Sequence, residues 1–149
     1  MNAYSYAISL RIRHPSADPD RFTTQLSLVP QRAWRAGAPR ATPAGTPLEG
    51  VNRETYWTSG ALERGTWPGR SLADAFDALL GRLELHTLFF QNLRADGGRI
   101  EFFVGWFFEG NSGDVVDVAI MRRLSDCGID LSLDVYPPDQ LQNDVDPSR

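Results

Sequence analysis

Hydrophobic and polar positions alternate along residues 4–12, YSYAISLRI. Tyr4, Tyr6, Ile8, Leu10 and Ile12 fall on one side; Ser5, Ala7, Ser9 and Arg11 fall on the other. A period of two predicts a strand with one buried face. His14-Pro15 ends it, because proline has no amide hydrogen to donate to a ladder. Asp18-Pro19 then reads as an N-cap followed by proline at the first helical position. Phe22 and Leu26 lie one turn apart, so a short helix is expected over about 19–27.

From Ser71 the period changes. Ser71 and Asp74 form a capping pair, and Leu72, Phe76, Leu79, Leu80 and Leu83 recur at helical spacing. Leu85, Leu88, Phe89 and Leu93 restart the pattern, which predicts a helix over 72–82 and a continuation or second helix to about 94. After the turn at Asp96-Gly97-Gly98 comes IEFFVGWFFEG, residues 100–110. Ile100, Phe102, Val104, Trp106 and Phe108 make one unbroken apolar face. Glu101, Phe103, Gly105, Phe107 and Glu109 make the reverse. Aromatic and β-branched content favours a strand. Asp114 is expected to cap the last helix, with Val116, Ala119, Ile120, Leu124 and Cys127 as its inner stripe and Gly128 at its left-handed end. Ile129, Leu131, Leu133 and Val135 then alternate with Asp130, Ser132, Asp134 and Tyr136. That predicts a second half-buried strand, stopped by Pro137-Pro138.

Between residues 31 and 70 the pattern breaks. Proline and glycine recur, which is loop chemistry. Two short extended pieces are expected, near 33–36 and 53–59. Trp34, Trp57 and Trp67 tie the excursion to the body, and its tip, 38–50, is expected to be mobile. The polar stretch 139–149 is expected to form a flexible tail. The predicted order is β-α-(β-β)-α-β-α-β. Each strand has one apolar face that helices must cover, so the expected fold is one α+β domain over residues 1–138. It has a single antiparallel or mixed sheet with helices on one face, a ferredoxin-like α/β sandwich.

Composition supports this reading and narrows the function. With 149 residues, 42% hydrophobic and 23% charged, the chain has the size and apolar content of one domain with a real core. A lone cysteine, Cys127, excludes a disulfide within the chain and suits a reducing compartment. The first residues lack a basic segment followed by a long apolar one, and no run of about 18 apolar residues occurs. The expectation is a cytoplasmic protein with no membrane segment. The net charge is −4, with all the basic residues arginine. Residues 31–70 are rich in arginine and residues 109–149 are acidic. An isoelectric point near 5.1 argues against nucleic acid as a general partner.

Several stretches together resemble a known family. YAISLRI is followed by DPDRFTTQLSLVP, a Trp-Arg-Ala-Gly element, YWTS, the Cys127-Gly128 helix end and IDLSLDVY. Across residues 4–136 this resembles the bacterial domain of unknown function 4279 family. The resemblance implies no established activity and supplies no catalytic residues. By analogy, such small orphan bacterial domains suggest an immunity role beside secreted toxins.

Chemical motifs are sparse. His14 and His86 lie far apart, and no HExxH, CxxC or EF-hand spacing occurs, so no metal and no cofactor are expected. Asp114 and Asp117 are better read as capping residues than as cation ligands. Cys127 at a helix C-terminus reads as a packed, inert thiol. His14 with Asp18 reads as a loop histidine plus a cap rather than an acid–base pair. The GNSGD loop, ringed by acids, reads as a turn rather than a phosphate cradle. Two surfaces remain. Arg32, Trp34, Arg35 and Trp57 form a candidate ligand site for an anion or nucleotide, or else the arginines pair with the acidic C-terminal part. On the outward sheet face, Arg11, Arg13, Glu101, Phe103, Phe107, Asp130, Asp134 and Tyr136 set aromatic residues among charges, the anatomy of an interface. The alternative is that the Trp57–Trp67 segment folds over Phe103 and Phe107. The expected function is a non-enzymatic protein-binding module, an immunity protein facing a basic toxin domain, with a homodimer as a related partner. The alternative is a small-molecule or nucleotide binder, or small enzyme, using residues 31–70.

Overall fold

The computed structural model describes residues 2–138. The 139–149 tail lies outside the described residues. The central strand is β1, Tyr4–His14, with its predicted alternation intact: every second residue is buried. It pairs antiparallel with β5, Thr55–Trp67, on one side and with β6, Arg99–Phe108, on the other. Beyond β5 lies the three-residue β2, Arg32–Trp34. Beyond β6 lies β7, Asp130–Tyr136, in parallel register. The sheet order is β2-β5-β1-β6-β7.

Helices cover one face. α1, Asp20–Leu26, buries Phe22 and Leu26, and Asp18 Oδ1 accepts from the Asp20 amide. α2, Leu72–Leu83, runs through a 3₁₀ turn, Glu84–His86, into α3, Thr87–Ala95. α4, Val118–Cys127, packs on α2, on α3 and on the 3₁₀ turn. The core between the layers is built from Ile8, Leu10 and Ile12 of β1, Phe76, Leu79 and Leu80 of α2, Phe90 of α3, and Ile100 and Phe102 of β6, all fully buried. Each such side chain contributes about 1.5–3 kcal/mol by leaving water. No helix among the described residues is long and apolar enough to cross a membrane.

The α+β class and the one-sided helix layer follow the sequence expectation. The β1-α1-β2 connection is split, with β5 lying between its two strands. The β6-α4-β7 crossover instead joins neighbouring strands.

The excursion over 31–70 is more regular than its composition implies. Residues 38–50, expected as a mobile tip, contain most of a hairpin of β3, Pro39–Ala41, and β4, Pro47–Val51. Its turn is closed by the Thr46 amide, which donates to Thr42 Oγ1. β5 runs on to Trp67, well past the expected end at Ser59.

The start of α2 shows how distant sequence is recruited. The Asp74 amide donates to Ser71 Oγ at 3.1 Å, as the capping pair predicted. The Ala73 amide donates to Asp114 Oδ2 at 3.0 Å, and the Leu72 amide donates to Tyr4 Oη at 3.2 Å. Tyr4 Oη in turn donates to Asp114 Oδ2 at 2.9 Å. Three N–H groups that the helix geometry leaves without partners are thus met by three side chains. Asp114 was expected to cap the last helix and caps α2 instead. Asp117 caps α4, accepting from the Ile120 amide at 2.9 Å. The later start leaves Ala119 exposed rather than on the inner stripe.

Candidate functional site

The pleat decides which side chains share the face that carries no helix. Strand β1 sends Arg11 and Arg13 outward, opposite Glu101 and Arg99 of β6. Ser9 lies opposite Phe103, and Ser5 opposite Phe107. In β7, Asp130 lies beside Glu101, Asp134 beside Gly105 and Tyr136 beside Phe107. All eight residues of the expected face therefore project to one side of the sheet.

These residues are organised in cation–ring and ring–ring pairs. The Arg11 guanidinium carbon lies 3.5 Å from the Phe103 ring centroid. Its Nε is buried with no hydrogen-bond partner, so the ring and the guanidinium cover each other. Phe107 stacks on Tyr136 with centroids 4.8 Å apart, and the Tyr136 hydroxyl donates to Asp134. Arg13 lies over Tyr56 at 4.8 Å and is bound to Glu54 at 3.0 Å; Arg99 reaches the same carboxylate. Tyr56 then stacks on Trp34 at 4.5 Å, and Arg32 lies over Trp34 at 4.8 Å. The face is basic toward β2, with Arg32, Arg13 and Arg11. It is acidic toward β7, with Glu101, Asp134 and Asp130, the last paired with Arg94 at 3.4 Å.

The segment from Trp57 to Trp67 does not cover Phe103 or Phe107. Trp57 pairs with Ile12 on the helix side, is fully buried, and donates from Nε1 to Thr23 Oγ1 at 3.0 Å. Trp67 pairs with Tyr4, also on the helix side. Trp57 thus cannot join Trp34 at a ligand site, since adjacent positions on a strand face opposite ways. Arg32, Trp34 and Arg35 do line one cleft of about 310 Å³, with Arg35 also bound to Asp18 at 3.4 Å. Tyr56 takes the role sequence reasoning gave to Trp57. The available signal was the alternation along β5, which sets Tyr56 and Trp57 on opposite faces.

Beside Trp34 the hairpin leaves an open cleft of about 590 Å³, lined by Trp34, Arg40, Glu49, Arg53 and Glu54 among others. Arginine and tryptophan therefore do converge at the rim of the sheet face, with two carboxylates between them.

The other groups that the sequence offered for chemistry are held in structural contacts. His14 is buried, and its Nδ1 accepts from the Ser16 and Ala17 amides at 3.0 and 2.8 Å. It organises the β1–α1 loop, while Asp18 is engaged by α1 and Arg35. Cys127 is buried against the Thr87 hydroxyl. Asp114 and Asp117 serve different helices, and no group of three or more metal-binding side chains occurs among the described residues. The Tyr4 hydroxyl is pushed up to about 12: burial raises it, the Leu72 amide pulls it back in part, and Asp114 adds to the rise. Burial likewise raises Tyr6, whose hydroxyl donates to the Ser71 carbonyl.

No curated protein and no solved structure matches the chain. A family model described as a domain of unknown function, DUF4279, matches residues 2–138, from before β1 to just past β7. The whole sheet, its helix layer and its uncovered face thus fall inside one family unit, and the chain belongs to the DUF4279 family.

Proposed function

We propose that this protein is a non-enzymatic binding module that docks a protein partner on the uncovered sheet face. The observation that carries this reading is the set of ring and guanidinium pairs there, above all Arg11 on Phe103, held at a fixed spacing by the pleat. Rings already packed by their neighbours lose little side-chain freedom on contact, which lowers the entropic cost of association. The two charged ends give a partner an orientation. In the narrower version, an inhibitor of a basic toxin domain, the partner's cations meet Glu101, Asp130 and Asp134.

Affinity capture from the native host with the wild-type chain, Phe103→Ala and Phe107→Ala tests this. Loss of the same partner from both variants is expected. A partner retained by both overturns the reading. Reversing the acidic end with Asp130→Arg separates the toxin version, which requires weaker capture and a smaller salt dependence.

One observation favours a second reading. The cleft at Arg32, Trp34 and Arg35 joins two arginines to an aromatic ring with no carboxylate in its lining, the chemistry of a small anionic or nucleotide ligand. Titration with a nucleoside-phosphate panel, followed by tryptophan fluorescence in wild type and Trp34→Phe, distinguishes it. Saturable quenching lost in Trp34→Phe supports the cleft, and its absence removes it.

A further inference from the structure

The two edges of the five-stranded sheet differ. β2 is only three residues long, and the chain then turns into the hairpin. β7 is seven residues long, and among the described residues no strand pairs with its far side. Its helix-side residues face water: Leu131, Leu133 and Val135 are 39%, 57% and 54% exposed. The sequence predicts these positions buried. The exposure arises because α4, the crossover that leads into β7, packs on α2, α3 and the 3₁₀ turn. A long, apolar edge with no strand against it among the described residues is a template for another strand.

The sequence of β7 specifies which strand fits. Asp130-Leu131-Ser132-Leu133-Asp134-Val135-Tyr136 is a near palindrome about Leu133 in its alternation of apolar and polar residues. If a second β7 runs antiparallel with Leu133 on the two-fold axis, Leu133 meets Leu133, Leu131 meets Val135 and Ser132 meets Asp134. Apolar side chains then meet only apolar ones, and no acid opposes another. Shifting the centre to Ser132 sets Asp130 against Asp134, and shifting it to Asp134 sets that residue against itself. Like charges directly opposite are destabilising. A one-residue slip opposes Leu133 to a polar residue and places the two helix layers on opposite sides. Charge and pattern together select one register.

We propose that a second copy of this chain pairs with β7, antiparallel about Leu133, to make a continuous two-fold sheet. The two helix layers then lie on the same side, and the leucine and valine side chains of both strands form one apolar strip beneath them. Val118 and Met121, exposed on α4, add apolar surface on that side. The interface is isologous, so it closes at a dimer instead of growing into a fibre. It adjoins the uncovered sheet face, whose β7 residues Asp130, Asp134 and Tyr136 come to flank the seam, and leaves Arg11, Phe103 and Phe107 away from it.

Light scattering of the full chain after gel filtration tests the proposal. The expected mass is twice that of the 16.6 kDa chain. Leu133→Asp, which sets two acids against each other on the axis, raises the dimer dissociation constant by about tenfold or more, with an unchanged melt of the monomer because the side chain is exposed. In a Cys127→Ser background, Leu133→Cys crosslinks under mild oxidation and Leu131→Cys does not, because only the axial pair comes within disulfide reach. A wild-type chain of monomer mass at all concentrations overturns the proposal. So does a dimer that survives Leu133→Asp but is lost in Phe103→Asp, or equal crosslinking of both cysteine variants.

Discussion

Replacing Asp114 by alanine removes a carboxylate that holds the start of α2 from 41 residues away in the chain. Three effects add. The charge-assisted bond to the Ala73 amide is lost, at about 1.5–3 kcal/mol in sheltered sites and less here because Asp114 is exposed. The favourable placement of negative charge at a helix N-terminus is lost, at about 0.3–1 kcal/mol. The Tyr4 hydroxyl loses its acceptor beneath the Tyr4 ring, which packs on Trp106 with centroids 4.0 Å apart. Together these amount to about 2–3 kcal/mol, a fall in Tm of roughly 4–12 °C for a domain of this size. Tyr4→Phe removes the other half of the pair, so a double-mutant cycle by urea denaturation reads their coupling directly. Additivity within about 0.5 kcal/mol means the two residues do not act as one cap, and the argument fails. The pH dependence is a second check. Tyrosine in the unfolded chain loses its proton near 10.0, whereas folded Tyr4 holds it to about 12. The contribution of Tyr4 is therefore intact below pH 10 and is lost as the pH rises from there to 12. The slope is about 1.4 kcal/mol per pH unit. Phenylalanine has no such loss, so the stability gap between wild type and Tyr4→Phe must narrow as the pH rises from about 10 towards 12. An unchanged gap refutes the linkage.

Two glycines should respond oppositely to alanine. At Gly65 a new Cβ collides with the Tyr6 hydroxyl oxygen, so Gly65→Ala costs about 1–3 kcal/mol in chemical denaturation. At Gly81, inside α2 with open space around it, Gly81→Ala stabilises by about 0.5–1 kcal/mol. Trp57→Ala empties a fully buried site and costs about 3–5 kcal/mol, seen as a large fall in urea midpoint. Arg123→Ala breaks surface links to Asp77 and Glu84 and changes stability by about 1 kcal/mol or less, with the difference fading in high salt.

Periodicity revealed those elements whose own residues form the buried surface. β1, β6 and the body of α2 could be read for that reason, as could the parity that sets Arg11, Phe103 and Tyr136 on one face. β5 was legible only in part. Beyond Ser59 its helix-side positions include Glu63, bound to Arg70, and Gly65, whose missing side chain leaves room for the Tyr6 ring. Neither contributes an apolar beat. The hairpin β3–β4 is exposed on every residue, so nothing in its pattern separates it from a loop. The role of Asp114 was hidden because its partner helix begins far away in sequence. β7 shows the reverse failure: its alternation is clean, yet burial needs a covering layer, and α4 does not supply one.

The central place of β1 has a consequence for how the chain acquires its shape. Its two neighbours are residues 55–67 and 99–108, so β1 is synthesised before either strand that flanks it. During synthesis, Tyr4, Tyr6, Ile8, Leu10 and Ile12 emerge about fifty residues ahead of their first partner, β5, and roughly a hundred ahead of their second, β6. Folding is then governed by contacts far apart along the chain, which favours slow, post-synthetic assembly and gives chaperones a segment to hold.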